Sequence, residues 1–178
     1  MSQIKLYDKT FQLFILSESI QLTVKNMAEK ITKDLKDKNP VFIGILNGAF
    51  MFTSDLIKHL RFDCNITFVK LSTYRNDSST GKCQKLIGLN DDLSGRTVVI
   101  TEDIIDTGFT IKCIYDEIKK NNPSEIRVAS MFFKPDACKK SIHIDYVGME
   151  VENEFIVGYG LDYNGLGRNY QDVYKIKY

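Results

Sequence analysis

Apolar positions recur along this chain with two alternating periods. Residues 20–38 place apolar side chains three and four positions apart with lysines between them, which predicts an amphipathic helix. Residues 41–46 are an unbroken apolar run typical of a buried strand, and Asn47-Gly48 then marks a turn into a second helix over 49–60. Strands that alternate with helices predict an α/β fold on a mainly parallel sheet flanked by helices.

The rest of the chain continues this pattern. Further elements are a helix over 111–121 and strands over 66–73, 86–89, 98–100, 126–133, 146–149 and 155–160. Residues 74–84 are polar and lack periodicity, so they predict a mobile loop whose arms form an antiparallel extension of the sheet. No repeat, low-complexity tract or linker interrupts the pattern, and we expect residues 1–178 to form a single domain.

Composition bears on the partners, the location and the cysteine chemistry of the protein. The 178 residues are 43% hydrophobic and 26% charged with a net charge of +1, which gives no electrostatic reason to expect a nucleic-acid or membrane partner. The N-terminus lacks an apolar signal segment, and no run approaches the ~20 apolar residues that span a bilayer, so we expect a cytoplasmic location. Cys64, Cys83, Cys113 and Cys138 are far apart without a C-x-x-C pair, which predicts reduced thiols.

The candidate chemistry lies in residues 98–110, VVITEDIIDTGFT. Glu102, Asp103 and Asp106 follow an apolar strand, at the strand end where open α/β sheets bind their ligands. The next four residues, where the chain turns into a helix, are Thr107, Gly108, Phe109 and Thr110. Free N–H groups at a helix start, with a glycine that permits close approach, form a cradle for phosphate.

The paired carboxylates predict a second ligand group. Glu102 and Asp103 can accept hydrogen bonds from two neighbouring hydroxyls, such as the 2′ and 3′ positions of a ribose. Any one of these acids could instead be a helix-start residue favoured by the helix dipole. Three acids beside a Thr-Gly-x-Thr turn favour a ligand that carries both sugar and phosphate.

This segment resembles the phosphoribosyl diphosphate motif of the type I phosphoribosyltransferases, an aliphatic run followed by Glu-Asp, two aliphatics and Asp-Thr-Gly-x-Thr. Residues 41–168 are similar to the 6-oxopurine branch, the hypoxanthine-guanine phosphoribosyltransferases. The matching segments are the diphosphate loop (Leu46, Asn47, Gly48, Ala49, Phe50), the start of the closing flap (Ser72, Thr73, Tyr74), the purine-recognising strand end (Phe133, Lys134, Pro135) and the base hood (155–168).

The resemblance implies how the purine is held. Phe155 would stack on the ring, the backbone at Ile156 would meet its Watson–Crick edge, and Lys134 would donate to the 6-oxo group, because an ammonium has three donors and no acceptor. Asp162 matches a carboxylate that holds a metal-bound water shell. Taken singly, Phe155 could be a core residue, Lys134 a surface charge and Asp162 part of a polar turn.

The reaction that the resemblance implies is a step of purine salvage. The phosphoribosyl group passes from phosphoribosyl diphosphate to hypoxanthine or guanine, giving IMP or GMP and diphosphate, with Mg²⁺ as cofactor. The implied roles are ribose contacts (Glu102, Asp103), general base (Asp106), 5′-phosphate contacts (Asp106, Thr107, Gly108, Phe109, Thr110), diphosphate contacts (Asn47, Gly48, Arg168) and Mg²⁺ contacts, mostly through substrate oxygens and water (Glu102, Asp103, Asp162).

One position departs from the family pattern. Many members carry lysine in the diphosphate loop where this chain has Asn47, so a positive contact is either missing or supplied by Arg75, Lys82 or Arg168. The peptide before Asn47 is cis in relatives, a feature that residue types do not reveal.

Two other readings stay open at this stage. A phosphoribosyl-diphosphate-sensing regulator would share the 98–110 motif, although the near-neutral charge counts against nucleic-acid binding. A transferase for xanthine or another base is the second alternative. Relatives form homodimers and homotetramers, and the apolar run 49–52 would serve either such an interface or the core.

Overall fold

The computed structural model describes residues 2–73, 83–87, 89–139 and 143–178, with residues 72–73 and 83–87 described through their backbone alone. In chain order the elements are β1 (Gln3–Leu6), β2 (Lys9–Ile15), α1 (Ser17–Leu35), β3 (Val41–Leu46), α2 (Phe50–His59), β4 (Asn65–Thr73), β5 (Cys83–Ile87), β6 (Thr97–Ile105), α3 (Phe109–Lys119), β7 (Glu125–Phe133), β8 (Tyr146–Glu150), β9 (Ile156–Val157) and β10 (Val173–Ile176).

The main sheet has the strand order β5-β4-β3-β6-β7-β8. Every neighbouring pair is parallel except β4 and β5, which are antiparallel, as predicted for the two arms of the loop. The central strands β3 and β6 are buried along almost their whole length because both faces of the sheet are covered. The predicted α/β fold is confirmed.

Helices cover the two faces of the main sheet. The buried side of α1, which includes Val24 and Ile31, packs with α2 against a face that contains Phe42 and Val99. The buried side of α3 packs against the opposite face, which contains Ile43. Successive residues of a strand point to opposite faces, so Phe42 and Ile43 belong to different halves of the core.

A second sheet, the hood sheet, was not predicted beyond one of its strands. Its order is β1-β2-β10-β9 and all its pairs are antiparallel, so it joins the two ends of the chain. Leu6, Phe11, Val157 and Tyr174 form its small core. The strand predicted over 155–160 is only two residues long because a tight turn follows it.

Three local expectations are corrected. The predicted loop over 74–84 ends earlier, because Cys83 already belongs to β5, while residues 74–82 lie outside the described part. Phe109 begins α3 instead of preceding it. Cys64 is a free thiol as predicted, but Cys113 is disulfide-bonded, since wide spacing along the chain does not reveal which residues the fold brings together.

Within the described ranges, none of the three helices combines the length and the apolar character that crossing a membrane would require.

Candidate active site

The acidic pair lies inside a strand. β6 runs to Ile105, beyond the predicted end of the strand, and therefore contains Glu102 and Asp103. Their side chains are only 6% and 7% exposed. Glu102 Oε2 is buried without a hydrogen-bond partner, whereas Asp103 Oδ1 accepts from the backbone N–H of Ile104 at 2.9 Å. A buried carboxylate oxygen without a donor is one that a ligand can satisfy.

Burial raises the pKa of both carboxyls. The pKa of Glu102 lies well above its ordinary value of 4.5, first because the group is desolvated and then because the charge of Asp103 is adjacent. Burial also raises the pKa of Asp103, although hydrogen bonds from its surroundings and the charge of Arg168 oppose the rise. A cation or a pair of hydroxyl donors would stabilise the charged pair.

The chain leaves β6 along a polar cavity. The cavity has a volume of about 270 Å³ and is lined by the consecutive residues 102–111. Gly108 caps the start of α3 with φ 78°, a left-handed conformation that suits glycine, and its carbonyl accepts from Lys112 N at 3.1 Å. The N–H groups of the first turn of an α-helix have no partner within the helix, and the residues of this turn line the cavity, so the helix start is suited to bind an anion.

β7 brings a buried lysine to the same place. Lys134 directly follows β7, and its backbone N–H donates to Ile105 O at 3.0 Å. The residue is 6% exposed, and its ammonium donates to Asp106 Oδ2 at 3.1 Å. The alternative that Lys134 is a surface charge is therefore wrong, because the residue is buried. The candidate purine contact, Lys134, and the candidate general base, Asp106, are therefore hydrogen-bonded to each other.

The loop after β3 touches the acidic pair. The peptide between Leu46 and Asn47 is cis. A Cβ atom at Gly48 would lie 1.7 Å from Asp103 Oδ2, so the glycine backbone rests directly on the carboxylate. The structure therefore brings the predicted diphosphate loop and the predicted ribose contacts together.

The hood reaches this loop through its backbone. A Cβ atom at Gly160 would lie 2.0 Å from Gly48 O. Arg168 Nη1 donates to Gly160 O at 2.6 Å, and Arg168 Nη2 pairs with Asp162 Oδ1 at 2.6 Å. Asp162 Oδ2 also accepts from Gly165 N at 2.6 Å. Arg168 and Asp162 are thus held as a pair above the Gly48 loop.

The other hood residues present an aromatic surface and a strand edge. Phe155 is 44% exposed, which does not fit a core residue, and its ring meets Tyr163 edge-on with centroids 5.8 Å apart. Ile156 lies on β9, the edge strand of the hood sheet, opposite Lys175. Ile176 N donates to Phe155 O, so residues 155 and 176 form a hydrogen-bonded pair between β9 and β10. Hydrogen-bonded and non-hydrogen-bonded residue pairs alternate along antiparallel strands. The backbone N–H and C=O of the next residue, Ile156, therefore point away from β10.

Some predictions fall outside what the structure describes. Ser72 and Thr73 end β4, but their side chains and all of Tyr74 are not described, so the flap stays a prediction. The same holds for Arg75 and Lys82. Among the described residues, no group of three or more Asp, Glu, His or Cys side chains is placed to hold a metal on its own.

Sequence reasoning missed the contacts that join these segments. The Lys134–Asp106 pair, the contact of Gly160 with Gly48, and the bond from Arg168 to Gly160 connect residues of different elements. No local sequence motif indicates any of these three contacts. The only hint in the sequence is Gly160, because a glycine permits another backbone to approach closely.

Comparisons with known proteins show the family of this chain. A family profile described as "Phosphoribosyl transferase domain" matches residues 15–164. The hypoxanthine-guanine phosphoribosyltransferase of Streptococcus pyogenes is 38% identical over 168 residues, covering 93% of this chain and 92% of the relative. A solved hypoxanthine phosphoribosyltransferase from Staphylococcus aureus superposes with a TM-score of 0.89 at 33% identity, covering 93% of this chain and 91% of its own. A hypoxanthine-guanine phosphoribosyltransferase from Bacillus anthracis, solved with HEPES in its active site, also gives 0.89 at 33% identity, covering 93% and 98%. This chain belongs to the hypoxanthine-guanine branch of the type I phosphoribosyltransferase family.

Proposed function

We propose that this chain transfers the 5-phosphoribosyl group from phosphoribosyl diphosphate to hypoxanthine or guanine, forming IMP or GMP and diphosphate. One observation carries the proposal: the buried Lys134 ammonium and the Asp106 carboxylate meet beside a cavity that begins at the Glu102–Asp103 pair. A 6-oxopurine presents an oxo acceptor next to an imidazole nitrogen, and a donor beside a carboxylate matches that edge.

The purine is selected at Lys134. Its ammonium donates to the 6-oxo group and has no acceptor for the 6-amino group of adenine. Phe155 stacks on the ring, and the backbone of Ile156 meets the Watson–Crick edge from the open side of β9. Recognition built on a required hydrogen bond can discriminate by on the order of 10⁴ to 10⁵.

The phosphoribosyl half is held by β6 and α3. Glu102 and Asp103 accept from the ribose hydroxyls and stabilise positive charge that develops on the sugar. The residues that follow hold the 5′-phosphate at the start of α3 (Asp106, Thr107, Gly108, Phe109, Thr110). Asn47, Gly48 and Arg168 meet the diphosphate, for which a guanidinium offers two parallel donors.

The bond change places Asp106 as the general base. The purine ring nitrogen forms a bond to C1 of the ribose while the bond from C1 to the diphosphate oxygen breaks. The ring proton passes to Asp106, whose carboxylate is half-exposed toward the cavity. Closure of the predicted flap at residues 72–74 would exclude water from this step.

Mg²⁺ fits the donor set at the acidic pair. Glu102 Oε2 has no partner and Asp103 is adjacent, so the pair offers the hard oxygen ligands that this ion prefers, with water and substrate oxygens completing its shell. Asp162, whose oxygens pair with Arg168 and Gly165, would hold part of that water shell. When bound, the ion neutralises the charge of the leaving diphosphate and orients it.

The Asn47 departure is compensated by Arg168 in this proposal. Arg168 contacts Gly160 O, which lies over the Gly48 loop, so its charge is held where the usual lysine would act. Asn47→Lys should lower the KM for phosphoribosyl diphosphate if the loop lacks a contact. An unchanged KM would show that the loop lacks no contact, which removes Asn47 from the argument.

A turnover assay with phosphoribosyl diphosphate and Mg²⁺ tests the function against hypoxanthine, guanine, xanthine, adenine and uracil. We expect turnover of the 6-oxopurines and its loss in Lys134→Met, while Lys139→Met, an exposed lysine in the same segment, stays active. Tight binding of phosphoribosyl diphosphate with no turnover of any base would favour a regulatory protein instead. Salt-sensitive binding to nucleic acid would support that alternative.

The assembly and location of the enzyme are also proposals. Ala49 and Phe52 are core residues, whereas Phe50 is 41% exposed and available to a homodimer or homotetramer interface. Light scattering should show an oligomer that Phe50→Glu weakens. We place the enzyme in the cytoplasm, because its polyanionic substrate does not cross membranes.

A further inference from the structure

Tyr159 is buried at the centre of a strained hood turn. It is 1% exposed and stands between two glycines, and all three residues have positive φ, 101°, 47° and 94°. Gly158 and Leu161 exchange two backbone hydrogen bonds of 3.0 Å, so Tyr159 and Gly160 are the central residues of a tight turn. That turn geometry favours Asn-Gly, and a bulky aromatic there must be held by its surroundings.

The tyrosine ring packs in the main core, and its hydroxyl is anchored to α2. Tyr159 Oη donates to Asp55 Oδ2 on α2 at 2.8 Å. Asp55 also accepts from Gln21 Nε2 at 2.7 Å and pairs with Lys58 Nζ at 2.6 Å. Burial tends to raise the pKa of Asp55, but these donors outweigh it and lower the pKa, so the acceptor is a charged carboxylate.

The backbone of the same turn faces the predicted diphosphate site. Tyr159 N donates to Tyr170 O at 2.8 Å, and Gly160 N donates to Arg168 O at 3.0 Å. Arg168 Nη1 donates back to Gly160 O at 2.6 Å. Gly160 also contacts Gly48 O closely enough to exclude a Cβ atom. The turn thus connects α2 on one side with the Arg168 guanidinium and the Gly48 loop on the other.

We propose that Tyr159 and Asp55 are a positioning pair that sets Arg168 and the Gly48 loop for the diphosphate. The pair acts through the turn and does not touch a reactant. α2 begins two residues after Gly48, so the Asp55 bond fixes the hood against the same helix that follows the diphosphate loop. The inference rests on the proposed function, because it assigns the positioned groups to the diphosphate of phosphoribosyl diphosphate.

The test separates diphosphate contacts from purine contacts. Tyr159→Phe removes the hydroxyl and keeps the ring, and we expect the KM for phosphoribosyl diphosphate and the Kd for inorganic diphosphate to rise about ten-fold, while the KM for hypoxanthine changes little. Asp55→Ala should give the same pattern. Asp55→Asn keeps an acceptor for the hydroxyl and should restore most of the affinity. Lys25→Ala, which removes an exposed lysine of α1, serves as the control with unchanged constants.

A cycle with Arg168 gives a readout that loss of stability would not produce. In an Arg168→Ala background, Tyr159→Phe should cause a smaller further loss of diphosphate affinity than in the wild type, since one of the two groups it positions is gone and only the Gly48 loop remains. Equal losses in both backgrounds, or unchanged constants in Tyr159→Phe alongside a lowered melting temperature, would show a structural role and overturn the inference. Wild-type protein that neither turns over nor binds diphosphate would overturn the proposed function itself.

Discussion

At the scale of single residues, burial of charge separates this site from the rest of the core. Among the described residues, the buried polar set contains three acidic or basic side chains: Glu102 and Asp103 lie in the last part of β6, and Lys134 directly follows β7. Burying a charge is costly unless it is paired and hydrogen-bonded. Three buried ionisable groups near the same edge of the sheet support the proposed ligand site.

The cost of burying Glu102 can be measured as a pH dependence of the free energy of unfolding. Its folded-state pKa is raised above the unfolded value, so the folded protein binds the proton more tightly than the unfolded chain. The free energy of unfolding is therefore highest below the unfolded carboxyl pKa and falls as the pH rises through the folded-state value. Glu102→Gln should reduce that fall, leaving the part due to Asp103, and raise the free energy of unfolding at neutral pH by about 1–3 kcal/mol, with weaker binding of phosphoribosyl diphosphate.

Urea unfolding of Glu102→Gln across a pH series measures this effect. Glu29→Gln, an exposed acid on α1, is the matched control and should leave the curve unchanged. A Glu102→Gln curve with the wild-type slope against pH would contradict the assignment of a raised pKa to this carboxyl.

Asp106 is predicted to act as the general base of the chemical step, in addition to its proposed contact with the 5′-phosphate. Asp106→Asn keeps the side-chain shape and an acceptor for Lys134, but it removes the proton acceptor, so kcat should fall about 10²- to 10⁴-fold with little change in stability. The check is the turnover assay with hypoxanthine beside a thermal unfolding curve. Asp116→Asn on the exposed side of α3 should behave as wild type; an equal fall there would remove the special role of Asp106.

Local motifs predicted the residues of the site but not their pairing. Glu102, Asp103 and Asp106 were recognisable because they follow one strand within five positions. The Lys134–Asp106 bond joins residues 28 positions apart and depends on the parallel register of β6 and β7. Register is set by the whole sheet, so a sequence pattern cannot supply it alone.

At the scale of elements, the extent of burial determines which strands can be predicted from the sequence. β3, β6 and β7 were predicted because they lie between two layers of helices and read as apolar runs. β1 and β2 pack only one face on a small core and read as mixed polar segments. Their partner β10 lies at the far end of the chain, so no local pattern indicates the pairing.

The contact between the loop after β3 and β6 gives a prediction at this scale. Gly48→Ala would place a Cβ atom 1.7 Å from Asp103 Oδ2, so the loop must move away from the acidic pair. The KM for phosphoribosyl diphosphate should rise at least ten-fold, which corresponds to about 1.4 kcal/mol of lost binding.

Gly95→Ala is the contrast for Gly48→Ala. Gly95 has a φ of 68° and open space around its Cβ position, so alanine there should cost about 1 kcal/mol of stability with an unchanged KM. Steady-state kinetics and urea unfolding of both variants separate the two effects. A normal KM in Gly48→Ala would contradict the close contact between the loop and Asp103.

At the scale of the whole molecule, both ends of the chain build the hood sheet, which carries the proposed purine contacts Phe155 and Ile156. β2 from the N-terminal part pairs with β10 from the C-terminal part, and β10 supports β9 with Ile156. Phe11 on β2 is fully buried, with its ring centroid 6.2 Å from Phe155 and 6.0 Å from Tyr163. The position of the exposed Phe155 ring therefore depends on a strand more than 140 residues earlier in the chain.

Phe11→Leu should affect binding of the purine without affecting binding of phosphoribosyl diphosphate. The smaller side chain leaves the Phe155 ring without part of its support, so the KM for hypoxanthine should rise several-fold while that for phosphoribosyl diphosphate, bound on β6 and α3, changes little. The substitution should also lower the free energy of unfolding by about 1–3 kcal/mol, because it removes packed atoms from a small core. Leu22→Ala, an exposed apolar residue on α1, controls for general effects of apolar truncation. Equal changes in the two KM values would mean that the hood sheet supports the whole site, and the division into a purine half and a phosphoribosyl half would not hold.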